Sequence, residues 1–261
     1  MIRRTGPIPA FEALVIESAP KQIARQIREA ILCGELKVDD RLPTEEELSA
    51  QFNVSRATIR EALKRLASEN LVVSRRGGAG GNFVQAPTYE DLRRSISELL
   101  TVVVSLNDVS FEDVIGYRFE IGLMACRLAV QNRSAADLAA MRMELEVQQS
   151  DDLSDVDFCA SDVRFHSLIM AASGNPLLAS SLSGVLEGLE PITNLALFRF
   201  RDRKIIVDQH ARLIDHLEAR SYESAASVLS EQVDYLSKTH GKAKLWKKAR
   251  RARAGKDKVA G

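Results

Sequence analysis

The chain has 261 residues, with 36 Lys and Arg against 36 Asp and Glu. That length allows two domains. The charges cancel overall but not locally: residues 1–87 carry a net +2, residues 88–241 a net −10 and residues 242–261 a net +8. Because fields act within a Debye length, the acidic middle is excluded as a surface for a nucleic acid, which has to be met elsewhere.

No apolar signal core opens the chain, and the longest apolar stretch, around Leu99–Leu106, is far too short to span a bilayer. Secretion and membrane association are therefore not expected, and the expected location is the cytoplasm. Cys33, Cys126 and Cys159 are odd in number and share no metal-ligand spacing, so they read as reduced core residues.

Residues 1–19 contain Gly6, Pro7 and Pro9 without a clear period and read as a flexible arm. From Lys21 to Leu36, Ile23, Ile27, Ala30 and Ile31 recur at helical spacing, and Gly34 suits the stop. Thr44-Glu45-Glu46-Glu47 matches a capping box for a second helix, which Asn53 ends as a left-handed residue. Ser55 caps a third helix running to about Asn70, with Ile59, Leu63 and Leu66 inward. Leu71–Ser74 and Asn82–Gln85 are β-type runs joined by a turn with four glycines, a wing-like hairpin following the basic helix.

Ala86-Pro87-Thr88 is the predicted linker, and beyond it the pattern is helical. Thr88…Asp91, Ser110…Asp113 and Ser134…Asp137 are start signals, with Asp155 and Asp202 as further candidate caps. Gly174-Asn175-Pro176 is a break. Six or seven helices are predicted between about 90 and 240, with no strand. The Lys242–Lys258 segment reads as a frayed helix or a disordered basic tail. The predicted organisation is thus an arm (1–19), a mainly α winged helix-turn-helix with a small β-hairpin (20–86), an all-α bundle of six or seven helices (87–241) and a basic tail (242–261).

Six basic residues between Ser55 and Arg76 make the front of the chain the candidate nucleic-acid surface: Arg56, Arg60, Lys64, Arg65, Arg75 and Arg76. In a helix-turn-helix the second helix of the pair places its N-terminal residues against base edges. Those residues are Ser55, Arg56, Ala57, Thr58 and Arg60. Arg56 and Arg60 share a face; arginine can bond guanine O6 and N7 together, and Thr58 can meet a phosphate or a thymine methyl. Lys64 and Arg65 fit phosphates or plain solvent equally well.

In the acidic part, Asp162 and His166 lie four apart on one helix, and His210 lies near the middle of the helix Arg203–Ala219. Across the break near Ser221, Gln232 stands at the height of His210 in an antiparallel hairpin. Asp162, His166 and His210 suit a divalent ion of the Zn²⁺ type. An Asp–His pair at this spacing is also an ordinary surface hydrogen bond, and a lone bundle histidine an ordinary core residue; spacing does not choose between these. No nucleophile beside a base, phosphate loop or paired carboxylates is present, so enzymatic activity is not expected.

Leu42-Pro43-Thr44-Glu45-Glu46-Glu47-Leu48, then Phe52 through Leu63, then the glycine-rich turn ending Asn82-Phe83-Val84, resemble the winged helix-turn-helix of GntR-family transcription regulators over residues 20–85. The resemblance implies that Arg56, Thr58 and Arg60 are recognition-helix contacts and that Arg76 and Gly77 are wing-tip contacts. Glu46 stands where that family often has an arginine reaching DNA.

Tyr117 to Ile121, Asp162 to His166, Gly174-Asn175-Pro176 and Asp208-Gln209-His210 resemble, more loosely, the FCD effector domain of the FadR-type branch. This resemblance implies a divalent metal on Asp162, His166 and His210, with Gln232 in place of the third histidine. It further implies a small carboxylate effector beside the metal, helped by Arg118. The implied protein is a homodimeric regulator of a palindromic double-stranded DNA operator, repressing until an effector binds. A metal-dependent enzyme fused to a DNA-binding module, and a DNA binder without allostery, are the rival readings.

Overall fold

A computed structural model describes residues 17–77, 80–195 and 200–257, with the side chains of 194–195 and 246–257 outside the description. It divides into two compact units between Pro87 and Thr88. Most of the expected arm (1–16), wing-turn residues 78–79 and the last four residues lie outside the described residues.

The first unit runs α1 (Ala19–Leu32), α2 (Glu45–Phe52), α3 (Arg56–Ser68), β1 (Val72–Arg75) and β2 (Gly81–Val84). α1 begins earlier than its periodicity predicts because Pro20 sits in the first turn, where its missing N–H is no loss. It also stops earlier, at Leu32, before Gly34 turns left-handed at φ 78. Thr44 and Glu47 form the capping box of α2, and Asn53 ends it at φ 53, ψ 48. The Ser55 hydroxyl accepts the Thr58 N–H at 3.1 Å and starts α3. The hairpin is antiparallel, from Val72 opposite Val84 to Arg75 opposite Gly81. Ile23, Ile27, Leu48, Ile59, Leu63, Leu66, Val72 and Val84 are buried together as the core of a winged helix-turn-helix.

The second unit is all-α, with seven α-helices among the described residues: α4 (Tyr89–Leu106), α5 (Phe111–Asn132), α6 (Ala135–Gln148), α7 (Asp155–Ala171), α8 (Pro176–Glu190), α9 (Arg203–Glu218) and α10 (Tyr222–Asp257). Thr88, Ser110, Ser134 and Asp202 cap α4, α5, α6 and α9 as predicted. At α7 the cap is Ser154, not Asp155: the Ser154 hydroxyl accepts the Asp157 N–H at 3.1 Å, and Asp155 is already inside the first turn. Gly174 at φ 74, the Asn175 cap and Pro176 make the α7–α8 break. A π-helical turn, Pro191–Leu195, follows α8 and was not foreseen.

The core combines Ile121, Ala125, Met141, Phe165, Ile169, Leu186, Leu189, Leu213 and Leu217. α4 lies tightly on α8 because Gly184 and Gly188 carry no side chain there. An added Cβ at Gly184 would collide with the Arg93 carbonyl oxygen, and one at Gly188 would come 2.8 Å from Leu100 Cβ.

One expectation needs correction, and the Lys242–Lys258 segment takes the helical one of its two readings. Cys126 and Cys159 are buried, but Cys33 is exposed, because it lies beyond the last core-facing turn of α1. Burial pushes the Cys126 thiol up to about 12. The basic segment from Lys242, expected as a frayed helix or disordered tail, continues α10 to Asp257. Ala243 on that segment is 2% exposed and packs with Phe111, Ile115 and Leu236, which gives the helix a reason to run on. Among the described residues, no helix is long and apolar enough to cross a membrane.

Candidate functional site

Two sites emerge, one in each unit. In the first, α3 leaves Arg56 and Arg60 exposed and Thr58 half-buried beside the buried Ile59, Ala62, Leu63 and Leu66. Thr58 Oγ1 is 2.8 Å from Ser55 Oγ, so part of its hydrogen bonding goes to the cap. Both arginines stay exposed but neither stands alone: Arg56 Nη2 is 2.6 Å from Glu46 Oε1, and Arg60 Nη2 donates to Glu45 Oε2 at 2.9 Å. The hydrogen bond from Arg60 is the main reason the Glu45 carboxyl lies below its ordinary range.

On the hairpin, Arg76 and Gly77 are exposed, and Gly77 takes φ 112, which a side chain would resist. Arg75 turns back to Asp39 at 2.6 Å and lies 4.6 Å over the Phe83 ring. Arg41 Nη2 donates to the Gly80 carbonyl at 2.8 Å, bracing the turn from beneath.

In the second unit, Asp162 and His166 from α7, His210 from α9, Arg118 from α5 and Gln232 from α10 line one cavity of about 10 Å³. That is room for one water-sized occupant. Asp162 is 2% exposed, His166 6% and His210 0%. Asp162 Oδ2 accepts from Arg118 Nη2 at 3.1 Å, and Asp162 Oδ1 lies 3.4 Å from Arg201 Nη2, 3.5 Å from His210 Nε2 and 4.0 Å from His166 Nε2. Burial alone would raise the Asp162 carboxyl. Arg201 and Arg118 outweigh it and hold the group well below the usual carboxylate range. Burial pushes His166 well down, helped by Arg118, and pushes His210 down to about 4 against the opposing Asp162. Both imidazoles are therefore neutral near pH 7.

Arg201, Gln148, Gln209 and Tyr235 were not foreseen. Arg201 precedes the Asp202 cap of α9, so only the fold brings it to Asp162. Gln148, the last residue of α6, is buried and places its Oε1 2.7 Å from His210 Nδ1. An amide oxygen only accepts, so Nδ1 carries the proton and Nε2 turns its lone pair toward the site. His210 Nε2 and Arg118 Nη1 are both buried without a hydrogen-bond partner.

A lone pair facing a carboxylate is an arrangement that a cation between them would relieve. The ligand atoms of Asp162, His166 and His210 lie within 4.8 Å of one another, so this donor set fits a divalent ion.

Residues 20–81 match the family described as "Bacterial regulatory proteins, gntR family", and residues 113–234 match the "FCD domain". A protein of Escherichia coli K12, provisionally named as the L-lactate dehydrogenase operon regulatory protein, is 28% identical over 84% of both chains. The HTH-type transcriptional repressor NanR of Citrobacter rodentium is 25% identical, again over 84% of each. Among solved structures, Streptococcus agalactiae GntR shares the fold at a TM-score of 0.55 and 21% identity, covering 84% of this chain and 99% of its own. With the winged helix-turn-helix in front and the all-α unit behind it, the chain belongs to the GntR family as a ligand-responsive, DNA-binding transcription regulator carrying an FCD domain.

Proposed function

We propose that the protein is a homodimeric repressor in the cytoplasm that binds a palindromic operator and is released by a small carboxylate in the Asp162 cavity. One observation carries this: Arg118 and Arg201 converge on Asp162 inside a unit whose net charge is acidic. With neutral imidazoles, these two guanidiniums are the cationic groups lining the cavity, and a carboxylate is the anion their N–H groups bind best. Arg56, Thr58, Arg60, Arg76 and Gly77 are the DNA contacts in this reading, with Ser55 as the cap that aims them. Two-fold protein symmetry would ask for a two-fold operator.

Asp162, His166 and His210 would hold a divalent ion, with Gln232 beside them. When bound, that ion would supply a further positive centre for the effector's carboxylate. The effector anion competes with Asp162 for Arg118, on α5, and for Arg201, at the start of α9. Its entry requires the small cavity to widen, so binding favours a conformation in which α5 and α9 have shifted. Unequal affinity for two conformations is what converts binding into a response. An enzymatic reading has no comparable support: the thiol beside the cavity, Cys159, is buried, and burial pushes its pKa up, away from the thiolate.

The test selects bound duplexes from a random pool, then measures their release by a panel of monocarboxylates for the wild type and Arg118→Gln. A two-fold symmetric site and carboxylate-driven release that Arg118→Gln weakens at least about ten-fold are expected. Release by no carboxylate, or undiminished release from Arg118→Gln, would remove the effector assignment. Elemental analysis of untagged protein, with His210→Ala alongside, checks the metal separately.

A further inference from the structure

We propose that two copies of the chain meet through the outer face of α4, where an apolar strip of Leu99, Val102, Val103 and Leu106 packs against the same strip of a second copy. The inference rests on the homodimeric reading and gives that dimer a surface.

α4 carries its charges early. Glu90, Asp91, Arg93, Arg94 and Glu98 all precede Leu99, and residues 99–107 hold none. One face of this uncharged stretch is used inside the unit: Leu100 lies over Gly188 of α8, Thr101 Oγ1 donates to the Gly188 carbonyl at 3.5 Å, and Val104 is buried. The other face holds Leu99, Val102, Val103 and Leu106, which are between 40% and 79% exposed. Their spacing of i, i+3, i+4 and i+7 makes one continuous strip along two turns. A helix that is apolar on both sides belongs between two packed layers, and the unit supplies one of them. Single exposed leucines are ordinary, whereas adjoining large aliphatics mark an interaction surface.

Two observations choose a second copy as the occupant. The first is symmetry. The spacing of the strip is the same in both directions, so a two-fold axis between Val102 and Val103 sets Leu99 against Leu106 of the partner subunit, and Val102 against Val103 of the partner subunit. A contact between identical surfaces requires such self-matching. The second is charge. Residues 88–241 carry a net −10. An unlike partner suited to that field would bring basic groups, and the strip offers them no carboxylate. Two acidic copies, in contrast, can pack closely only where no charge is buried against its like.

The test measures the dimer dissociation constant of the full chain by sedimentation equilibrium, for wild type, Val103→Glu, Val102→Lys and Met143→Glu. Val103→Glu buries a carboxylate from each copy beside the axis and should raise the constant at least about 100-fold. Val102→Lys should do the same, and its ammonium has Glu98 one turn back to support the helix. Met143 is equally exposed but lies on α6, outside the strip, so Met143→Glu should stay within about three-fold of wild type. Circular dichroism should show unchanged helix content in all three variants. Because the contact holds no ion pair, added salt should leave the wild-type dimer unchanged or tighten it, by screening the repulsion between acidic units. A wild-type dimer that both strip variants leave intact, or that Met143→Glu dissociates equally, overturns the proposal while the homodimer stands. A wild-type chain that stays monomeric removes the homodimer itself, and the proposal with it.

Discussion

At Asp162 two opposed forces meet. Removing a carboxylate from water costs several kcal/mol, yet two arginines within 3.4 Å keep it ionised. The histidines go the other way: burial holds them neutral, His210 down to about 4. A histidine whose folded pKa is depressed binds its proton more readily when unfolded. Stability therefore falls as pH drops from about 6.5 toward 4, by about 1 kcal/mol per pH unit for each such group. His166 is displaced in the same direction, so both contribute across that window. Denaturant unfolding of metal-stripped protein between pH 7 and 5 should show this slope, and His210→Gln should flatten it; an unflattened slope would assign the pH dependence elsewhere. The position of Asp162, His166 and His210 on their helices was legible from spacing. Arg201 and Gln148 were not, because neither lies at a spacing that links it to those three residues.

Helix starts and stops were the most legible elements, since a capping residue acts on amides two or three residues away. Thr44, Ser55, Thr88, Ser110, Ser134 and Asn175 all cap through their own side chains, and Asn53 closes α2. The exception is at α7, where Asp155 was the expected cap and the adjacent Ser154 takes the role, its hydroxyl accepting the Asp157 N–H. The close contact of α4 with α8 left no clear mark in the chain, because Gly184 and Gly188 read as ordinary helix glycines. Gly184→Ala should lower the stability of the second unit by about 1–3 kcal/mol through overpacking, despite the better helix propensity of alanine. Gly116→Ala, where nothing lies within 4 Å of an added Cβ, should be neutral or stabilising. Equal effects in thermal melts would mean that α4 and α8 separate easily.

For the whole molecule, the change from a basic front to an acidic middle falls where the two units divide, between Pro87 and Thr88. The basic end of α10 is the remaining question at this scale. Ala243 is part of a buried cluster, so the informative truncation removes residues 246–261 rather than cutting at Lys242. That segment carries a net +6. Its deletion should weaken binding to random duplex and lower the salt slope by about one for each phosphate the segment neutralises. An unchanged slope would leave those charges to solvent.

From the chain alone came what acts over a few residues: the caps and breaks, the inward stripe of α3, the arginines Arg56 and Arg60 beside their cap, and Asp162 and His166 one helical turn apart. Such features depend on backbone geometry that repeats every turn, so spacing carries them. Only the folded molecule decided which charges meet: Arg118 and Arg201 on Asp162, Gln148 behind His210, Glu46 on Arg56. Those contacts join residues whose separation along the chain bears no relation to their distance in space, and their energies depend on burial that exists only after packing.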